Sequence, residues 1–278
     1  MDVNATAGNA LLERLEQARR QLRCCNLCPR RCGVDRTAGQ AGYCRLDDSV
    51  RCFREMLHFA EERGLSPSHQ IYFAGCNLRC EFCTVAEWNE QPQAAEPMDP
   101  AELAEKIEKR RRQGARTVNF LGGEPTLSVH GIIQLAACID SSEQVVLNSN
   151  MYYNRIVDDL LVGLVDIYLA DLKCGNAECA EMLLGAADYV DVAGENIKRA
   201  AAGARVIVRH LVLPGHQKCC LEPTLKWLAQ ELPQAEVSIR GDYVPPAAPA
   251  SAPADYLTAA GMDAAVDLAA QMGLNLIQ

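Results

Sequence analysis

Three cysteines, Cys76, Cys80 and Cys83, fall within the nine residues GCNLRCEFC. Thiolates ligate both zinc and iron–sulfur clusters, yet a closed zinc site and a fully protein-bound cubane each take four protein ligands. The spacing C-x3-C-x2-C lets one short loop wrap three corners of a cubane and leaves the fourth iron without a protein ligand. A vacant coordination position of that kind is where chemistry happens. The competing reading is a zinc loop completed by a distant cysteine or histidine.

The chain has 14 cysteines, and others also cluster. Cys25, Cys28, Cys32 and Cys44 have the spacing C-x2-C-x3-C-x11-C, with Pro29, Gly33, Gly39 and Gly42 permitting tight turns. Four thiolates can close a zinc site or hold an auxiliary cluster, and the plainer alternative is a set of reduced thiols in a compact loop. Any such site is expected to lie apart from the one at Cys76, Cys80 and Cys83, with Cys24 a spare. Cys174, Cys179, Cys219 and Cys220 lie far apart in sequence but follow two neighbouring predicted strands. They can form a further metal site or offer a thiol to the reaction. Cys52 and Cys138 read as structural. The first 20 residues contain acids and no signal-like apolar core, so a reducing, cytoplasmic compartment is expected, where clustered thiols favour metals over disulfides.

The elements that must position these residues follow from apolar patterning. Residues 9–23 read as a helix, and the cysteine-rich segment 24–44 follows. From about residue 70 short apolar runs alternate with helical stretches, the mark of a parallel α/β architecture. Six strands are predicted at 70–75, 117–121, 144–148, 165–170, 205–213 and 236–239. The clearest intervening helix is MDPAELAEKIEKRRRQG, with Asp99 as cap, Pro100 in the first helical position and Gly114 as terminator. A proline/alanine linker, VPPAAPASAPA, leads to a last helix at about 256–272. Six strand–helix units are too few for a closed eight-unit barrel, so a partial barrel competes with a doubly wound sheet. Either way ligands belong at the carboxyl ends of the strands. There the chain places GCNLRC, GGEPT, NSN, DLKC and PGHQKCC. The expected division is an amino-terminal helix and cysteine-rich segment at 1–65 and a barrel with its last helix at 66–278.

The three-cysteine loop after a first strand, with Phe82 before the third cysteine and GGEPT at 122–126 after the second strand, resembles the radical S-adenosylmethionine (SAM) superfamily. CNLCPRRCGVDRTAGQAGYC, LNSNMYYN, YLADLKCGNAECA and VIVRHLVLPGHQKCC extend the likeness to the pyruvate formate-lyase activating enzyme-like branch, from about residue 24 to the end. The resemblance implies an open (βα)6 partial barrel. It also implies an oxygen-sensitive [4Fe-4S] cluster on Cys76, Cys80 and Cys83, with SAM chelating the vacant iron through its amine and carboxylate. Reductive cleavage then gives a 5′-deoxyadenosyl radical that abstracts hydrogen from a substrate. A flavodoxin- or ferredoxin-type electron donor is implied. The substrate is expected to be a protein backbone position, with a small metabolite as alternative. A non-enzymatic zinc- or cluster-binding adaptor or electron carrier is the reading from a different class.

On this resemblance Gly122 and Gly123 let backbone approach the cofactor, and Glu124 with neighbouring carbonyls accepts hydrogen bonds from its ammonium. Asn148, Ser149 and Asn150 suit ribose hydroxyls, and Lys173 and Arg209 pair with its carboxylate. Arg209 and His210 alternate along one strand, and Arg209 is expected to face inward. Two departures stand out. Residues 84–98 contain no inserted ferredoxin-like cysteines, and TVAEWNEQP lacks the glutamine–asparagine pair usual in this branch.

The formal net charge of −9 argues against polyanion binding as the main business, so no nucleic-acid partner is expected. The basic run Lys109–Arg112 reads as a solvated helix end that complements the helix dipole. No apolar run approaches the ~18 residues of a membrane span, so no membrane partner is expected.

Overall fold

The computed structural model of the chain describes residues 3–277. They fall into two compact units. The first comprises Met1–Asn77, Val85–Leu147 and Tyr153–Asp166, and the second Leu78–Thr84, Asn148–Tyr152 and Ile167–Gln278. The amino-terminal helix α1 (Val3–Leu22) buries Ala18 and Leu22 and packs on α4 (Val129–Ala136) in the first unit.

The sheet of the first unit runs in the order β3 (Glu96–Pro97), β1 (Arg51–His58), β2 (Ser68–Phe73), β4 (Thr117–Gly122), β5 (Val145–Ser149). β2, β4 and β5 are parallel, whereas β1 is antiparallel to β2 and to β3. Thr117 anchors the shared start of β2 and β4: its hydroxyl donates to the Leu65 carbonyl and accepts from the Ser68 hydroxyl, each at 3.0 Å. β1 is absent from the six predicted strands, and its pairing brings residues 51–58 into the same sheet as β2.

The second unit holds the parallel strands β6 (Ile167–Asp171), β7 (Arg205–Leu211), β8 (Glu236–Arg240) and the short β9 (Asn275–Leu276), in that order. The six predicted strands correspond to β2, β4, β5, β6, β7 and β8 within two residues at each end.

The helices between strands follow their local signals. α2 (Ala86–Glu90) is short, and it brings Trp88 to stack on Phe53 of β1 at 4.9 Å. Asp99 caps α3 (Pro100–Arg112), accepting from the backbone N–H groups of Ala101 and Glu102, and Gly114 beyond its end has φ +99°. Three residues of the basic run, Arg110, Arg111 and Arg112, form ion pairs. Arg110 binds Glu55 of β1 in a fork of 2.8 and 3.0 Å, while Arg111 and Arg112 share Glu108. After β5 comes α5 (Ile156–Leu161), after β6 come α6 (Ala177–Leu184) and α7 (Tyr189–Ala201), after β7 comes α8 (Glu222–Glu231), and α9 (Ala259–Gln271) precedes β9. Strand–helix alternation around parallel strands makes this a mixed α/β fold.

Candidate functional site

Cys76 lies next to the last residue of the first segment of the first unit, and Cys80 and Cys83 lie in the second unit. All three thiols are free of disulfides. In the first unit, the turn after β4 is clamped onto the residue before Cys76. Glu124 N–H donates to the Gly75 carbonyl at 2.8 Å, and Gly123 N–H to the Phe73 carbonyl at 2.7 Å. A Cβ on Gly123 would stand 2.1 Å from the Gly75 oxygen, and Gly122 has φ +116°. Only glycine permits that approach of backbone to backbone. The Glu124 carboxylate is wholly buried and accepts from the backbone and hydroxyl of Thr126, at 3.2 and 2.7 Å. Its Oε1 thus fixes the GGEPT turn itself.

In the second unit, Cys80 meets the turn after β6. Burial pushes its thiol up to about 12, with the Lys173 ammonium working the other way. Lys173 Nζ pairs with Asp171 Oδ2 at 2.5 Å, both side chains about one-fifth exposed. Burial disfavours its charge, but Asp171 and Cys80 outweigh that and raise its pKa. Tyr189 from α7 holds the turn, donating to the Asp171 carbonyl at 2.7 Å and accepting from the Lys173 N–H at 3.1 Å. The partner of the predicted Lys173 is therefore Asp171, two residues earlier in the quoted DLK.

Arg209 and His210 of β7 differ in burial. Arg209 is half-buried. His210 is 1% exposed and donates its Nδ1–H to the Leu172 carbonyl at 2.6 Å. Ser149 and Asn150 accept from the backbone of Met151 and Tyr152, at 2.9 and 2.8 Å, so both stabilise their own loop, and Asn148 is half-buried. Phe82 meets Tyr243 edge-on at 6.2 Å. Between Cys80 and Cys83, Glu81 accepts the N–H groups of Ser251 and Ala252, both at 2.7 Å. The proline/alanine linker is thereby pinned to the three-cysteine loop, a role the sequence did not mark.

The amino-terminal quartet occupies the first unit. Cys25, Cys28 and Cys44 are buried, and Cys32 is exposed. Burial pushes the Cys28 thiol up to about 12 and also raises that of Cys44. Cys32 Sγ accepts the Tyr43 N–H at 3.3 Å, and a Cβ on Gly42 would come 2.8 Å from that sulfur. Arg36 is wholly buried and donates to the carbonyls of Asp47 and Leu127, both at 2.8 Å. The segment that carries the quartet touches Asn77, the residue after Cys76, within the first unit. Arg30 Nε donates to the Asn77 carbonyl at 3.0 Å, next to Cys76, and Cys28 bonds the Asn77 side chain. The physical reason is β1, whose pairing with β2 folds the preceding segment back onto the start of the loop.

A family model for the radical SAM superfamily matches residues 71–228, more than half of the chain. The chain belongs to the radical SAM superfamily. It is 36% identical to an uncharacterized protein, MJ0674, of Methanocaldococcus jannaschii, over 99% of this chain and 83% of that one. Among solved structures it is similar in fold to Streptococcus suis SuiB bound to the precursor peptide SuiA (TM-score 0.54, 16% identity, 72% of this chain and 46% of that one). It is also similar to SuiB bound to SAM (TM-score 0.52, 16% identity, 72% and 47%). A radical SAM methyltransferase from Sphaerobacter thermophilus shares the fold as well (TM-score 0.51, 12% identity, 82% and 76%). The chain spans under half the length of SuiB.

The fold is thus the radical SAM type of mixed α/β fold with a parallel sheet, and a [4Fe-4S] cluster and SAM are the cofactors of this enzyme superfamily. The donors fit: three free thiols on one loop, a cation beside Cys80, and a glycine turn locked against Gly75. No helix among the described residues is long and apolar enough to cross a membrane.

Proposed function

We propose that this radical SAM enzyme acts on a polypeptide, abstracting hydrogen from a backbone position in the manner of a glycyl-radical activase. With cluster and SAM bound, the cofactors supply the hydrogen-abstracting radical. In this reading Cys76, Cys80 and Cys83 hold the cluster, and Lys173, charged on Asp171, steadies the Cys80 thiolate. Arg209 and Asn148 would meet the carboxylate and ribose of SAM. The observation that carries the polypeptide reading is the linker at Glu81. An extended strap with Val244 and Tyr256 exposed lies on the loop between two cluster ligands, offering backbone and apolar groups to an extended chain. SuiB, bound to a precursor peptide on a similar fold, supports the same class of substrate. The reductant would be a flavodoxin- or ferredoxin-type protein.

The test is an anaerobic pull-down with the reconstituted enzyme, SAM and reductant, followed by electron paramagnetic resonance of the recovered partner. A backbone-centred radical in that partner is the expected result. Turnover of a small compound, with no macromolecular partner recovered, would overturn it.

We further propose that Cys25, Cys28, Cys32 and Cys44 hold a metal centre of their own. The supporting observation is Arg36, a buried cation bound by two carbonyls, with Nη2 lacking a hydrogen-bond partner among the described residues and the Cys44 sulfur near enough to interact with its charge. A thiolate there balances it. In a Cys76/Cys80/Cys83 triple alanine variant, Cys28→Ser and Cys44→Ser should each remove one zinc or about four irons per chain. No change in bound metal would refute the assignment.

A further inference from the structure

Cys179, His216, Cys219 and Cys220 bring one ligand atom each to within 4.8 Å of one another, all inside the second unit. We infer that these four side chains form a separate, closed tetrahedral site for a zinc-class ion. The sequence grouped Cys174 with the three cysteines, whereas the structure brings His216 to them.

The turn Gln217–Leu221 is π-helical, with His216 as its amino-terminal cap. The His216 carbonyl accepts from Cys220 N–H at 2.8 Å and from Leu221 N–H at 3.2 Å. This wider winding lets Cys219 and Cys220 both join His216 on one side. Cys179 is delivered by the first turn of α6, where Asn176 Oδ1 accepts its N–H at 2.8 Å. The two loops are drawn together at Gly175, whose missing Cβ would sit 2.2 Å from the Cys220 carbonyl oxygen. Asn176 Nδ2 completes the junction by donating to the Cys219 carbonyl.

Bond lengths of about 2.3 Å to sulfur and 2.0–2.1 Å to nitrogen put the S···N edge of a tetrahedral zinc site at about 3.6 Å. His216 Nδ1 lies 3.6 Å from Cys179 Sγ and 3.4 Å from Cys219 Sγ. Ligands of structural sites also receive hydrogen bonds from a surrounding layer. Here Asn176 Nδ2 donates to Cys179 Sγ at 3.3 Å, and Cys174 and the Gly175 N–H bond Cys220. Cys174 thus supports a ligand from behind. Four protein ligands leave no open position, so the ion ties the loop after β6 to the loop after β7, beside Lys173.

The probe is cobalt(II), added without oxygen to the full chain stripped of metal. Cys179→Ser and His216→Ala should each lower bound cobalt by one equivalent per chain and remove a set of tetrahedral, thiolate-type absorption bands. His216→Cys should retain the equivalent and shift those bands, because a fourth thiolate replaces imidazole. Equal cobalt in the parent and both loss variants would overturn the site. If the loss variants fail to fold by circular dichroism, His216→Cys decides alone, and a spectrum identical to the parent counts against the proposal.

Discussion

Lys173 shows how one side chain can serve both stability and chemistry. Its ammonium is held between Asp171 and Cys80, and removing it leaves a partly buried carboxylate without a cation. Lys173→Met is expected to cost about 2–3 kcal/mol in urea unfolding, less than a fully buried pair because both groups keep some exposure. Adding Asp171→Asn should restore most of that loss, since the orphaned charge is gone. If the single variant unfolds at the parent's urea midpoint, the pairing has no such role. The lysine was legible from the DLK pattern. His216 was not, because a lone histidine in a PGH turn looks the same whether it faces solvent or three thiols.

At the level of the element, α4 carries a pH dependence. His130 is buried, its Nε2–H donates to the Asp48 carbonyl at 2.9 Å, and its Nδ1 has no partner among the described residues. Burial, with Arg36 adding repulsion, lowers its pKa from the ordinary 6.5 to about 4. The unfolded chain therefore takes up the proton first as pH falls. The stabilising contribution is complete above pH 6.5, shrinks below it and is exhausted near pH 4, amounting to about 3 kcal/mol. Urea midpoints measured across that window should fall, and His130→Gln should flatten the profile. An unaltered slope in the variant would assign it to other groups. The parallel strands were readable because each is a short apolar run ending in glycine or polar residues. β1 was missed because RCFREMLH is charged and half-buried, as suits a strand with little continuous apolar character. The π-turn has no sequence signature at all. It shows only in which carbonyl the amides of Cys220 and Leu221 choose.

For the whole molecule, superfamily membership sets the main expectation. Reconstituted without oxygen, with SAM and dithionite, the chain should bind iron and sulfide and release 5′-deoxyadenosine. Cys80→Ala should abolish product, at least 100-fold below the parent, while its circular dichroism stays unchanged. An unfolded Cys80→Ala chain would instead favour the non-enzymatic metal-binding reading. A net charge of −9 makes an extended anionic partner unfavourable. The motifs at strand ends revealed the superfamily because cofactor chemistry restricts those few positions tightly. Substrate identity was not legible, because no spacing or residue type in the strand-end motifs depends on what the substrate is.

The hold of Glu81 on Ser251 and Ala252 also makes the protein its own gauge. Those two amides are 170 and 171 residues away in sequence from the carboxylate that accepts them, and that carboxylate stands between Cys80 and Cys83. Any reshaping of the loop as the cluster assembles must reach them. Their hydrogen-exchange rates should slow on reconstitution and rise in Glu81→Gln, where the charge-assisted bonds are weakened. Mass spectrometry of the peptide spanning them would then follow cluster assembly in a signal independent of iron's colour. Identical exchange in the metal-free and reconstituted chains would mean that the strap does not sense the loop.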